Sequence, residues 1–320
     1  MTEMFIGVDV GGTDVKAGLV SSSGELVRTR IFGTHPEKGH RDLFARIAGE
    51  AGRLGEGCPV CGAGIGLPGQ VDQEKGIFIE GPNLPGFINV PAARELSRML
   101  NVPVRVDNDA NCAALAEFSV GAAGEYSSGM LVTLGTGVGG GIILNNEIVH
   151  GFSGGAGEFG HTIIKCDGPV CSCGRRGCVE AFAGTTAILR ILDEKLKTNG
   201  SSILHEVPEE ARTPKAVFEA AEKGDDTARE VFAEAGTYLG IGIANVINLL
   251  NLPVVVVGGG VARAGDYILE PARKSFYRHA LKANSQHVKI VPAVLGNRAG
   301  MVGAAHLALR KSISNLKKEY

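Results

Sequence analysis

The sequence predicts an internally duplicated α/β protein of two domains, and three observations lead there. The apolar run MFIGVDV at 4–10 passes through Gly11, Gly12 and Thr13 into a second apolar run from Val15, and MLVTLGTGVGGGIIL at 130–144 repeats that design over a hundred residues later. A third apolar run, PVVVV, ends on Gly258, Gly259 and Gly260. Stretches with helical spacing lie between these runs. At 320 residues the chain is long enough for two domains of ordinary size.

Taken in order, the first apolar run is a buried strand with Asp9 near its end, and VKAGLV returns antiparallel to it. Such a strand, glycine turn and strand can hold phosphate on backbone N–H groups, with the Thr13 hydroxyl as a further donor. A carboxylate beside it, Asp9, can hold Mg²⁺ through water. An ordinary hairpin explains the same residues, and Lys16 either reaches a phosphate or is solvated. Leu43, Ile47 and Leu54 mark a surface helix. CGAGIGLPGQVD is a strand running into a turn at Pro68 and Gly69, and GPNLPGF (81–87) is a polar loop carrying Asn83. Residues 92–100 form a helix; Val102–Val106 is a strand, Asp107, Asn108 and Asp109 a turn, and a helix starts near Ala110. An N-cap accounts for one of those three polar side chains but not for all of them, which makes this the most suggestive catalytic point.

The second glycine turn, Gly135, Thr136 and Gly137, satisfies G-x-G-x-x-G. That dinucleotide fingerprint requires a helix next; GGIIL continues as a strand, so a Rossmann site is rejected. Helices follow at 184–199 and Asp226–Leu250, where Gly236, Gly240, Gly242 and Ala244 allow close packing. Gly258–Gly260 is either a nucleotide-binding turn or a tight strand-to-helix connection. A strand and a helix from about Ala299 end the chain.

His161, Cys171, Cys173 and Cys178 lie on a short glycine-rich stretch and make a tetrahedral zinc set. Cys166 could replace one of the cysteines, and unrelated free thiols are the plain alternative. Glu158 and Glu180 flank the set; neither is needed for four-coordination, so both remain available to a polyhydroxylated ligand. Cys58 and Cys61 form a lone C-x-x-C, read as incidental thiols.

Composition narrows the partners. With 44% hydrophobic and 21% charged residues and a net charge of −2, the chain reads as a soluble globular protein without a broad basic surface, and neither nucleic acid nor anionic membrane is expected as a partner. No secretory leader is visible and no apolar run approaches the ~18 residues of a membrane span. Seven cysteines, four crowded between Cys166 and Cys178, fit a reducing cytoplasm and a metal better than a disulfide framework.

Two glycine hairpins, a third glycine turn and an aspartate fit phosphoryl transfer from a nucleotide, which needs donors around the phosphates, Mg²⁺ and a carboxylate to take a hydroxyl proton. Asp109 is the candidate base. The stretches DVGGTDVKAG, GLPGQVD, GPNLPGF, VDNDANCAALAE, LVTLGTGVGGGI, GGAGEFGH, CSCGRRGCVE and VVVVGGGV together resemble the ROK family of sugar kinases and regulators, and within it the bacterial glucokinases, over nearly the whole chain. The resemblance implies the actin-like ATPase (ribonuclease H-like) duplicated fold, two domains with a cleft between them. A smaller N-terminal domain would take residues 1–120 plus about 300–320, and a larger one, with the zinc site and nucleotide turns, 121–299.

It further implies ATP-dependent phosphorylation of a hexose, glucose at its 6-hydroxyl, with Asp109 as base and Asn108 as a sugar contact. Gly69 and Asn83 would line the sugar. Glu158, His161 and Glu180 would bind its hydroxyls, while His161 also holds a structural Zn²⁺ with Cys171, Cys173 and Cys178. Gly11, Gly12, Thr13, Lys16, Gly135, Thr136 and Gly137 would face the ATP phosphates, Asp9 the Mg²⁺, and Gly258, Gly259 and Gly260 the adenosine. A homodimer or higher homo-oligomer is expected from the family. Repressors in that family carry a helix-turn-helix ahead of the first glycine hairpin; a strand beginning by residue 4 favours an enzyme over a regulator. A kinase for N-acetylmannosamine or another hexose shares every motif named, and a sugar-binding protein without catalysis is the remaining reading.

Overall fold

The computed structural model describes residues 2–316, with side chains through Arg310. In chain order the elements are β1 (Met4–Val10), β2 (Asp14–Ser21), β3 (Leu26–Gly33), α1 (His40–Gly55), β4 (Val60–Leu67), β5 (Gln70–Asp72), β6 (Ile77–Glu80), α2 (Ala92–Leu100), β7 (Val104–Asn108), α3 (Asp109–Val120), β8 (Gly129–Leu134), β9 (Val138–Leu144) and β10 (Glu147–Ile148). There follow α4 (Glu180–Ala183), α5 (Thr185–Leu196), α6 (Pro214–Glu222), α7 (Asp226–Leu250), β11 (Val254–Gly258), α8 (Asp266–His279), α9 (Lys282–Ser285), β12 (Lys289–Pro292) and α10 (Ala299–Leu316). Short 3₁₀ turns join several of them.

Two five-stranded sheets carry the duplication. The first has the order β3-β2-β1-β4-β7 and the second β10-β9-β8-β11-β12, so each sets a three-strand meander beside two further strands. In the first sheet β1 pairs antiparallel with β2, Val10 opposite Val15, and parallel with β4. In the second, β8, β11 and β12 run parallel. Burial along β1 and β11 is nearly continuous, as expected for strands covered on both faces. The edge strand β3 exposes Arg28 and Arg30 instead, charges that discourage pairing with another chain and that hide the strand from an apolar search.

By contacts the chain divides into two units. The first comprises Met1–Ser127, Gly141–Gly157 and Leu295–Tyr320; the second comprises Ser128–Gly140 and Glu158–Val294. Residues 141–157, which the sequence groups with the second domain, thus pack in the first unit, as do the described residues from Leu295 onward. There α10 lies against β1, β4 and α3. The approach requires glycine: a Cβ on Gly7 would overlap the Met301 carbonyl, one on Gly64 that of Ala304, and one on Gly303 that of Cys112. Around the sheet a core including Val8, Val10, Val15, Leu43, Phe44, Ile65 and Phe78 is buried. In the second unit α7 packs on α8, and Gly236 and Gly240 meet the backbone of α8 as their spacing predicts. Among the described residues no helix is long and apolar enough to cross a membrane.

Candidate active site

In the first unit the polar residues gather where β7 becomes α3. No turn intervenes at 107–109: Asp107 and Asn108 finish the strand and Asp109 is the first helical residue, so strand and helix meet without a connector. Asn108 makes this junction workable. Its backbone is extended and its Oδ1 accepts from the N–H groups of Ala110 (2.9 Å) and Asn111 (3.1 Å), capping α3, while its Nδ2 donates to the Gly69 carbonyl at 3.1 Å. Gly69 has φ 157°, and a Cβ there would run into Glu80 and Gly81. The sequence-predicted residues Gly69, Asn108 and Asp109 are therefore brought together. Asp109 is half-buried at the helix start, with Oδ1 2.9 Å from the Ala110 nitrogen.

Asp107 is buried, and three donors surround it: the Asn108 N–H at 2.7 Å, Asn111 Nδ2 at 2.9 Å and His150 Nε2 at 2.7 Å. His150 escapes a reading of the sequence because it lies 43 residues away, with no periodic signal to link it to the pair.

The first glycine turn closes on itself: the Gly11 N–H donates to the Asp14 carbonyl at 2.8 Å, and Thr34 returns a hydroxyl to Gly11 O at 2.7 Å and an N–H to Thr13 O at 2.8 Å. Gly12 and Thr13 are exposed, and the Asn83 side chain stands beside Gly12. Lys16 lies in β2, 3.9 Å from the carboxylate of half-buried Asp9, rather than free in solvent. Burial pushes the Asp9 carboxyl up from the usual carboxylate range and Lys16 pulls it partly back. A carboxylate so placed suits a hard cation held through water.

In the second unit His161, Cys171, Cys173 and Cys178 come together, their ligand atoms all within 4.8 Å of one another. His161 Nδ1 is 3.6 Å from Cys171 Sγ, and Cys173 Sγ is 3.7 Å from Cys178 Sγ. Tetrahedral Zn–S and Zn–N bonds of about 2.3 and 2.0 Å imply ligand-to-ligand edges of roughly 3.5–3.8 Å, so these residues fit Zn²⁺. Cys166 is exposed and outside the group. The loop is folded by bridges between Ile163 and Cys178 and between Val170 and Arg176. His161 turns Nε2 toward Glu158, 4.0 Å away and exposed.

Glu180 is not left uncommitted as its spacing suggested. Its Oε2 accepts the Val138 N–H at 3.0 Å, and its Oε1 accepts from Ser172 and from Cys171 at 3.3 Å. Burial raises its pKa, but these hydrogen bonds and His161 outweigh that and hold the carboxyl below its ordinary value. A Cβ on Gly137 would collide with Glu180, and Thr185 gives both its N–H and its hydroxyl to the Gly135 carbonyl at 2.9 Å. The second glycine turn, with Thr136 exposed at its tip, is therefore braced by the starts of α4 and α5. Gly258 is buried at the end of β11; Gly259, at φ 93°, and Gly260 are exposed ahead of a 3₁₀ turn. Cys58 and Cys61 join no metal-ligating group among the described residues.

Comparison with known proteins gives the architecture a family. The glucokinase of Halalkalibacterium halodurans is 37% identical, over 97% of this chain and 96% of that protein. The N-acetylmannosamine kinase of Shigella boydii is 30% identical, over 95% of this chain and 97% of that protein. Among solved structures, a ROK family glucokinase from Streptomyces griseus in complex with glucose and AMPPNP superposes with a TM-score of 0.84 at 34% identity, covering 96% of this chain and 99% of that one. This likeness bears out the actin-like ATPase fold that the motifs imply. With the ROK family matched across residues 5–311, the chain belongs to that family.

Proposed function

We propose that the protein is an ATP-dependent hexose kinase of the ROK type and that glucose, phosphorylated at its 6-hydroxyl, is its acceptor. The observation that carries this reading is the junction of β7 and α3. There a half-buried carboxylate opens a helix, its neighbour Asn108 is fixed by the cap and by Gly69, and the same unit holds an open glycine turn with Asp9 and Asn83 beside it. Asp109 takes the proton of the 6-hydroxyl as that oxygen attacks the γ-phosphorus; the bond from phosphorus to the β-phosphate oxygen breaks and ADP leaves. Asn108, Gly69 and Asn83 orient the sugar, and Glu158, His161 and Glu180 hold its other hydroxyls.

Backbone N–H groups at Gly11–Thr13 and Gly135–Gly137 receive the phosphates, with Lys16 adding charge, and Gly258–Gly260 takes the adenosine. Asp9 would hold Mg²⁺ through water, and the ion would supply neutralisation of phosphate charge. His161, Cys171, Cys173 and Cys178 would hold Zn²⁺ as a structural ion, bracing the loop between Glu158 and Glu180. The identity with an N-acetylmannosamine kinase supports a second reading in which the acceptor is that amino sugar. A coupled assay with ATP and Mg²⁺ over glucose, mannose, fructose, N-acetylglucosamine and N-acetylmannosamine separates the two. Glucose is expected to give the highest kcat/KM; preference for N-acetylmannosamine would transfer the assignment, and absence of turnover on all five would end it.

A further inference from the structure

Beside Asp107, within the first unit, lies a cavity of about 340 Å³ lined by Gln73, Arg105, Asp107, Glu147, His150 and Arg310, among others. Its volume falls in the lower part of the range of small-molecule sites, about 300–1,000 Å³. Arg105, on β7, is half-buried and has no ion pair or hydrogen bond to another described residue. A guanidinium cannot shed its proton near neutral pH, so Arg105 stays charged with solvent as its partner; burial alone displaces its pKa, downward.

The other charged groups on the walls are Arg310, Asp107, His150 and Glu147, whose exposed carboxylate turns to solvent. Arg310 donates to the Asn146 carbonyl and lies 4.0 Å from exposed Glu147, and Asp107 is engaged by His150, Asn111 and its neighbour's N–H. One planar fork of donors is therefore unanswered by protein, with a second guanidinium and the amide of Gln73 on the same walls and the carboxylates of Asp107 and Glu147 beside them. Such a fork suits two oxygens of one planar or tetrahedral oxyanion.

We propose that this cavity is a second binding site, distinct from the acceptor site, for a compact anionic metabolite that places a phosphate or carboxylate group on Arg105. Its wall shares Asp107 and His150 with the hydrogen bonds that set the start of α3, so occupancy acts on Asp109 through that pair. This regulatory half rests on the kinase reading above; the binding half does not.

Titration calorimetry on the full chain with inorganic phosphate, and separately with succinate, tests the site. Heat of binding for one or both in the wild type is expected, weakened at least about tenfold in Arg105→Gln, the loss of a charged hydrogen-bonding partner, and unchanged in Asp109→Asn. Arg105→Lys, keeping charge without the fork, should restore binding only in part. Phosphate binding alone identifies a phosphorylated ligand and succinate binding alone a carboxylate one. No heat from either probe, or equal binding by Arg105→Gln, overturns the proposal. Turnover of Arg105→Gln without added anion should match wild type; if wild type binds the anion but shows no kinase activity, the site stands while the kinase reading falls.

Discussion

At the scale of single residues, partners far apart in sequence decide what each polar side chain can do. Asp109, Asn108 and Gly69 are legible as candidates because acids, amides and glycines at strand ends advertise themselves. His150 and the commitment of Glu180 to Val138 are not, since neither contact leaves a local pattern. His306, buried on α10, shows how such placement sets a pH response: its Nε2 has no hydrogen-bond partner among the described residues, and burial, with Arg310 adding repulsion, holds its pKa below the ordinary 6.5. The folded state therefore binds the proton less readily than the unfolded one. Stability is complete above the unfolded value and falls as pH drops from there through the folded value. Urea unfolding between pH 7.5 and 5 should show this decline, and His306→Gln should flatten it; an equal decline in both would place its origin elsewhere.

Among elements, glycine sets how closely the pieces approach. The carbonyl of Cys112 in α3 occupies the place of a Cβ on Gly303 in α10, so Gly303→Ala should destabilise by about 1–3 kcal/mol through overpacking, measured as a lowered unfolding midpoint with unchanged slope. The Cys171–Cys178 cluster with His161 was readable because cysteines and a histidine at that spacing match a tetrahedral ligand set. By contrast β3 was not, because an edge strand carrying Arg28 and Arg30 has no apolar pattern, and 107–109 passed for a turn because three polar side chains in a row look like one. Metal analysis should find one zinc per chain in the wild type. Cys173→Ser should lower that occupancy and the melting temperature together; full stability without zinc would remove the ion from the account.

For the whole molecule, the duplication was legible because each glycine turn sits between two apolar strands, and the parallel sheet orders follow from it. The return of residues 141–157 to the first unit was not, because it depends on contacts that no local period encodes. This architecture sets glycine turns between strands and Asp109 at the start of α3, and the proposed chemistry stands on that aspartate acting as base. The direct test is steady-state ATP-dependent phosphorylation of glucose by wild type and Asp109→Asn, with circular dichroism to confirm equal folding. A fall in kcat of about 10²–10⁴ is expected for loss of a general base, with the glucose KM little changed. A folded Asp109→Asn protein that turns over at the wild-type rate would contradict it.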